Sequence, residues 1–279
     1  MTPPDEGSAE PNRPILIEAA HEFMDDRALR LGAGLAYYGL ITLAPLLILL
    51  IGVAGLFVGE EAANGQLTET LTQWFGADIA EAFSQMITAA DVAGTFANLT
   101  IGSLILLVFA ASILFVAWKD ALDVIWGIGY QSGVKATLAK RLFGFASVGA
   151  LAGLVVAILV AETLLATLTA SLTDATVIDT AFGIATSVVP LIFGVLILGA
   201  AYKFGTNSKL SWRDVWPGTI LTMLLLIVLA AGYGIYLDFS GASITGIASS
   251  LILLIVLVYL MAQVLLFGAE VIKLRSLRN

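Results

Sequence analysis

Six long apolar runs, at about residues 33–58, 92–117, 142–168, 177–202, 215–237 and 244–269, dominate the chain. Each can cross a hydrocarbon core of about 30 Å, which takes about 20 helical residues. The runs are apolar on every side, whereas a helix at the surface of a soluble domain keeps a polar face. The pattern therefore predicts an all-α, polytopic membrane protein with six transmembrane helices. Residues 60–91 do not make a seventh, because Glu60, Glu61, Glu69, Asp78, Glu81 and Asp91 recur too often for lipid.

That stretch has a helical pattern of its own. Leu67, Leu71, Trp74 and Phe75, then Ile79, Ala82, Phe83, Met86 and Ile87, recur three and four apart with a break at Gly76. Two short amphipathic helices are expected in this outer loop, as a cover or as a gate over a cavity. A second amphipathic segment, residues 14–31, sets Ile15, Leu16, Ala19, Phe23 and Leu29 against Glu18, Glu22, Asp25 and Asp26. Its acidity argues against anionic lipid and for packing under the bundle, as an elbow before the first span. Residues 118–139 are expected to form a short separate inner helix carrying Lys119, Asp120, Asp123 and Trp126. Asp238–Ser243 reads as a tight hairpin that makes the last two spans antiparallel neighbours. The division is then an acidic, proline-rich tail at 1–13, expected to be disordered; the elbow at 14–31; a transmembrane domain at 32–272; and a basic tail at 273–279. The N-terminal residues lack the short apolar core of a signal peptide.

Charge orients this arrangement. All thirteen Lys and Arg residues fall before the first run, between the second and third, between the fourth and fifth, or after the sixth. By the positive-inside rule both termini are cytoplasmic and the protein sits in the cell membrane. The outward loops carry only acid. Composition agrees, since 59% hydrophobic and 12% charged residues leave too little polar surface to coat a soluble globule of 279 residues. There is no cysteine, which excludes disulfides and thiolate metal sites. No other cofactor or metal motif stands out.

Ionisable groups at membrane depth are functional candidates by default. Glu162 falls near the outer end of its span and reads as interfacial. Glu270 closes the sixth span and Gln263 lies two turns deeper; both are placed to face Lys119, Asp120 or Asp123 from the second span, where a structural ion pair is the expected meaning. Pro45 and Pro190 interrupt the first and fourth spans, where each removes a backbone donor and obstructs a carbonyl four residues earlier. Split three and three, the spans place one proline at the head of each half, the kind of correspondence seen in transporters. Gly55 with Gly59, and Gly149 with Gly153, have the spacing that lets helix backbones approach, which supports a compact bundle and leaves a homo-oligomer open. Trp118, Trp126, Trp212 and Trp216 are expected at the inner interface, with Tyr233 and Tyr236 near the outer one.

Several segments carry a resemblance. GAGLAYYGLITLAPLLILLIGVAGLFVG (residues 32–59), ALDVIWGI (121–128), YKFGTNSKLSWRDVWPGTILT (202–222) and YLDFSGASITGIASSLILLIVLVYLMAQVLLFGAEV (236–271) resemble the YihY/virulence factor BrkB family of inner-membrane proteins. Thr42, where Ser is commoner, and Phe204-Gly205, where a proline is commoner, depart from its pattern. The resemblance makes Tyr38, in the aromatic pair ahead of Pro45, a further candidate. It also implies an older ribonuclease label, which the residues oppose. A phosphodiesterase needs clustered carboxylates with a metal or paired histidines, and nucleic acid needs a basic patch. The one histidine, His21, lies in the elbow, and the net charge is −8. No enzyme and no nucleic-acid partner is expected. The lipid bilayer is the certain partner. Two classes remain: a transporter or permease of a small solute or ion, and a non-transporting scaffold or envelope-integrity protein.

Overall fold

The computed structural model describes residues 14–75, 77–91, 101–128, 138–139, 141–150, 153, 191–240 and 247–278. Among them the chain is helical, with no strand. We number the helices α1 (Ile15–Asp25), α2 (Ala28–Val58), α3 (Glu60–Phe75), α4 (Ala77–Asp91), α5 (Ile101–Ile125), α6 (141–150), α7 (Leu191–Gly205), α8 (Trp212–Ser240) and α9 (Ile247–Arg278). α8 and α9 are long and apolar enough to cross a membrane, and α2 is a third span if its bent halves count as one.

α9 is the central post. Along one side it lies antiparallel to α8, with Gly218 against Gly268 at one end and the Tyr233 hydroxyl donating to the Leu253 carbonyl at 2.6 Å near the other. On another side it lies antiparallel to α2, with Gly32 against Gln263 and Gly39 against Val258. The antiparallel pairing of α8 and α9 follows the hairpin expected from the sequence; the turn itself, 241–246, lies outside the described residues.

α1 and α2 are joined through Asp26 and Arg27. Arg27 takes the left-handed conformation at φ 53°, and its carbonyl accepts from the Arg30 and Leu31 amides, starting α2 at once. One non-glycine residue in this region costs about 1–2 kcal/mol, which the docking of α1 on α9 must offset. Within α2, Pro45 lies at a 45° bend between Ala28–Leu43 and Pro45–Leu56. The cause is local: proline removes a donor and obstructs the Ile41 carbonyl. Buried Thr42 adds to it by donating its hydroxyl back to the Tyr38 carbonyl at 2.8 Å, a pattern that bends helices. Beyond the bend, Leu47, Ile48 and Ile51 pack with Ala82, Phe83 and Ile87 of α4 and with Leu253, Leu254 and Leu257 of α9. The two acidic helices α3 and α4 lie on either side of Gly76, and α4 packs well down the second half of α2, beyond merely covering the bundle end.

Two expectations need correction. Residues 118–125 are not a separate inner helix: α5 runs unbroken from Ile101 to Ile125, because Lys119 and Asp123 find polar partners and need not end it. Trp118 is not an interfacial belt residue but is buried beside Tyr202, its Nε1 donating to the Ala201 carbonyl at 3.2 Å. Among the described residues, close helix approaches fall at other glycines than the four-spaced ones, and the residues that follow Gly153, 154–190, lie outside the described residues. A side chain at Gly59, Gly149 or Gly153 would meet no described neighbour, whereas one at Gly144, Gly205, Gly218 or Gly268 would strike the facing helix or the aromatic beneath it.

Candidate functional site

The α1–α2 elbow and the C-terminal turns of α9 come together at the basic end of the bundle. Ala19 of α1 is buried with Val271 and Leu274 of α9, and Phe23 meets Phe267 edge-on at 6.0 Å. Glu22 and Asp26 are four apart and share one face; Glu270 and Lys273 are three apart and share another. With the apolar stripes docked, these faces meet. The Lys273 Nζ donates to Glu22 Oε2 at 2.9 Å and to Asp26 Oδ2 at 2.8 Å, and lies 3.4 Å from Glu270 Oε2. One oxygen from each of Glu22, Asp26 and Glu270 lies within 4.8 Å of the other two. Arg278 pairs with Glu18 further along the same two helices.

The cluster is short of positive charge. Three carboxylates face one ammonium, and Glu270, fully buried, has only the longest of the three contacts to it, at 3.4 Å. A buried carboxylate in that state is costly unless it takes up a proton or a cation. The ammonium of Lys273 already stands among the carboxylates, so the geometry suits an added proton or small monovalent ion better than a caged divalent metal.

Two turns deeper on the same face of α9, Gln263 continues the polar line. Its Nε2 donates to the Leu29 carbonyl at 3.3 Å, its amide packs on Gly32 where any larger residue would collide, and its buried Oε1 accepts no hydrogen bond. Gln263 and Glu270 thus do not face the second span as expected. Both look toward the α1–α2 elbow, because α2 and α1 occupy that face of α9.

Lys119 and Asp123 serve a different junction. Lys119 Nζ donates to the Gly205 carbonyl at 3.2 Å and to Asn207 Oδ1 at 3.1 Å. Asp123 accepts from the Asn207 backbone amide at 3.0 Å and from its Nδ2 at 2.8 Å. Asn207 is gripped from both sides, which pins the α7–α8 turn to the end of α5; Asp120 is half-buried in the same turn of α5. Removing Asp123 takes the acceptor from the buried Thr206 hydroxyl, about 1–3 kcal/mol for a buried donor, and from the exposed Asn207, whose amides can turn to water. Asp123→Ala is therefore expected to lower stability by about 1–2 kcal/mol, read as the unfolding midpoint in detergent, with Asp123→Asn losing less. An unchanged midpoint for the alanine variant rules out this role.

The remaining candidates stand apart from the polar line. The Tyr38 ring is exposed beside Tyr37, 5.6 Å away edge-on, and its carbonyl serves Thr42. Pro45 acts through the bend. Pro190 and Glu162 lie outside the described residues. Sequence reasoning passed over Glu22, Asp26 and Lys273 as members of a site; the four-spaced acids of the elbow and the lysine in the basic tail were the signals that could have joined them.

Comparison with known proteins fits a membrane-embedded helical chain. Two UPF0761 membrane proteins of Stenotrophomonas maltophilia are similar to it: one from strain R551-3 at 25% identity over 255 residues and one from strain K279a at 24% over 258. Each alignment covers 90% of this chain, which spans 58% of the length of either curated relative. No solved structure matches. The sequence model of the virulence factor BrkB family matches residues 19–278, nearly the whole described fold, and the chain belongs to that family of membrane proteins.

Proposed function

We propose that this protein is a six-span transporter or permease of the cell membrane, with both termini cytoplasmic, that moves a small cation or a solute coupled to one. The observation that carries the reading is Glu270: a fully buried carboxylate that shares the single ammonium of Lys273 with Glu22 and Asp26, in a cluster whose negative charge exceeds its positive charge. Its place suits the role. It opens a polar line that continues at Gln263, whose amide reaches the Leu29 carbonyl at the head of α2, the helix bent at Pro45. An ionisable group buried in a spanning helix is a candidate for an ion pathway by default, and this one stands at the inner mouth of the bundle. The proposal gives the chain no enzymatic activity, no resident cofactor and no nucleic-acid partner, and it is compatible with a homo-oligomer.

The competing reading, a scaffold that only packs, draws on Asp123 and Lys119, whose bonds to the α7–α8 turn hold that end of the bundle shut. Flux separates the two. Purified protein in liposomes under a proton or sodium gradient is expected to dissipate it, read by an internal pH dye or sodium indicator. Glu270→Gln should cut the rate at least about tenfold, as loss of a required charge does, while keeping or raising the melting midpoint, since the buried charge disappears. A rate unchanged by Glu270→Gln, or no flux with either gradient, transfers the function to the scaffold reading.

A further inference from the structure

A second feature lies on the other side of the same end of the bundle. Leu191, Ile192, Val195 and Leu196 of α7 and Trp216 of α8 line an open groove of about 250 Å³ whose walls are wholly apolar. At its basic end the groove runs into an aromatic collar. Trp216 stacks on Trp212 with centroids 5.6 Å apart, Phe204 meets Trp212 edge-on at 6.2 Å, and the Lys203 ammonium stands 5.1 Å from the Trp212 ring centre.

Along α7 and the turn into α8 the charge has one sign, and Asp123 of α5, which meets this turn at Asn207, is matched there by Lys119 on the same side chain. Residues 191–213 contain Lys203, Lys209 and Arg213 and no acid. The nearest carboxylate in sequence, Asp214, is buried and accepts from the Ser211 amide at 3.3 Å, so its charge is turned into the chain. Lys203 uses one donor on the Leu210 carbonyl at 2.7 Å, and an ammonium has three. Elsewhere along α8, exposed Leu224, Ile227 and Val228 are apolar without such a collar. An apolar channel ending in indoles and cations matches a molecule with a hydrocarbon tail and an anionic head at the depth of the membrane interface.

We propose that this groove seats an acyl chain of an anionic phospholipid, whose phosphate is held by Lys203 and Arg213 beside the Trp212–Trp216 stack. The site is independent of the polar line on α9, and it holds whether or not the protein transports anything. Brominated acyl chains test it, because bromine quenches indole emission on contact. The full chain is reconstituted in phosphatidylcholine bilayers doped with phosphatidylglycerol or phosphatidylcholine brominated at the same positions. The Trp216 contribution is taken as the difference between wild type and Trp216→Phe.

Half-maximal quenching of that component is expected at a mole fraction about fivefold lower for the anionic lipid, the preference that one basic residue near the headgroup supplies. Arg213→Gln, at an exposed position that leaves packing intact, should reduce the preference, and Lys203→Gln with Arg213→Gln should abolish it while quenching itself persists. Equal mole fractions for the two lipids overturn the proposal. So does a preference that survives the double substitution, or a Trp216 component that neither lipid quenches.

Discussion

Gly268→Ala is expected to lower the unfolding midpoint of the purified protein markedly, and Gly268→Val to leave little folded material. α8 and α9 cross with no room between them at this point. A β-carbon on Gly268 would overlap the Thr222 hydroxyl and lie 2.7 Å from the Tyr202 hydroxyl, and Gly218 on the facing helix already abuts Ile272 and the Gly268 carbonyl. None of these groups is free to move. Thr222 donates to the Gly218 carbonyl at 2.7 Å, and Tyr202, fully buried, donates to the Leu265 carbonyl at 2.7 Å. Overpacking a filled interior costs about 1–3 kcal/mol, and here the collision also breaks two hydrogen bonds to helix carbonyls, about 1 kcal/mol each. Alanine should therefore cost about 3–4 kcal/mol. The check is a thermal melt in detergent with size-exclusion recovery. Adding Thr222→Ala to Gly268→Ala should return part of the loss, since it removes the atom that is struck. A single variant that melts with the wild type shows that the helices can separate there at no cost, and the tight crossing is wrong.

That crossing also shows what the amino-acid sequence conceals. Helices were legible wherever an apolar run was long, though their limits were not: α2, α8 and α9 fall on three of the runs, yet α2 begins at Ala28 and α9 continues to Arg278, beyond the apolar residues, and α3 and α4 flank the break at Gly76. Glycine spacing did not point to this contact: Gly218 and Gly268 sit singly in sequence, outside any four-spaced pair, and meet across the helix pair. Spacing along one helix says which residues share a face; it does not say which helix that face meets. The same limit explains the site. Gln263 and Glu270 were recognisable as polar groups on one face of an apolar helix, but the charges of the second span looked like their partners. The choice of α1 and α2 follows from the elbow at Arg27, a single left-handed residue whose identity does not announce a turn. Lys119 and Asp123 misled for a related reason: charges at the end of an apolar run look like a boundary, and only the folded α7–α8 turn supplies the partners that let the helix continue through them.

Lys273→Ala is expected to release α1 from the bundle. The substitution leaves Glu22, Asp26 and Glu270 facing one another with no cation between them, so the loss exceeds that of one ion pair. Breaking a fully buried pair costs about 3–5 kcal/mol. Glu22 and Asp26 are 35% and 28% exposed, so water screens part of the repulsion, and about 2–3 kcal/mol is the better expectation. The apolar contacts of Ala19 and Phe23 alone must then hold the elbow against the strain at Arg27. Trypsin reports the outcome, because Arg27 and Arg30 lie in the elbow: cleavage there should be slow in the wild type and faster in the variant by about thirtyfold or more, the ratio that 2 kcal/mol sets for a local opening equilibrium. Glu270→Gln in the same background should recover part of the protection by removing the carboxylate that water cannot reach. The pair of variants also separates folding from transport. Glu270→Gln alone should keep the elbow protected while abolishing flux, whereas Lys273→Ala should expose the elbow first and lose flux as a consequence. If cleavage is unchanged in Lys273→Ala, the ammonium does not hold α1 to α9, and the argument that Glu270 is left short of positive charge in a closed cluster fails with it.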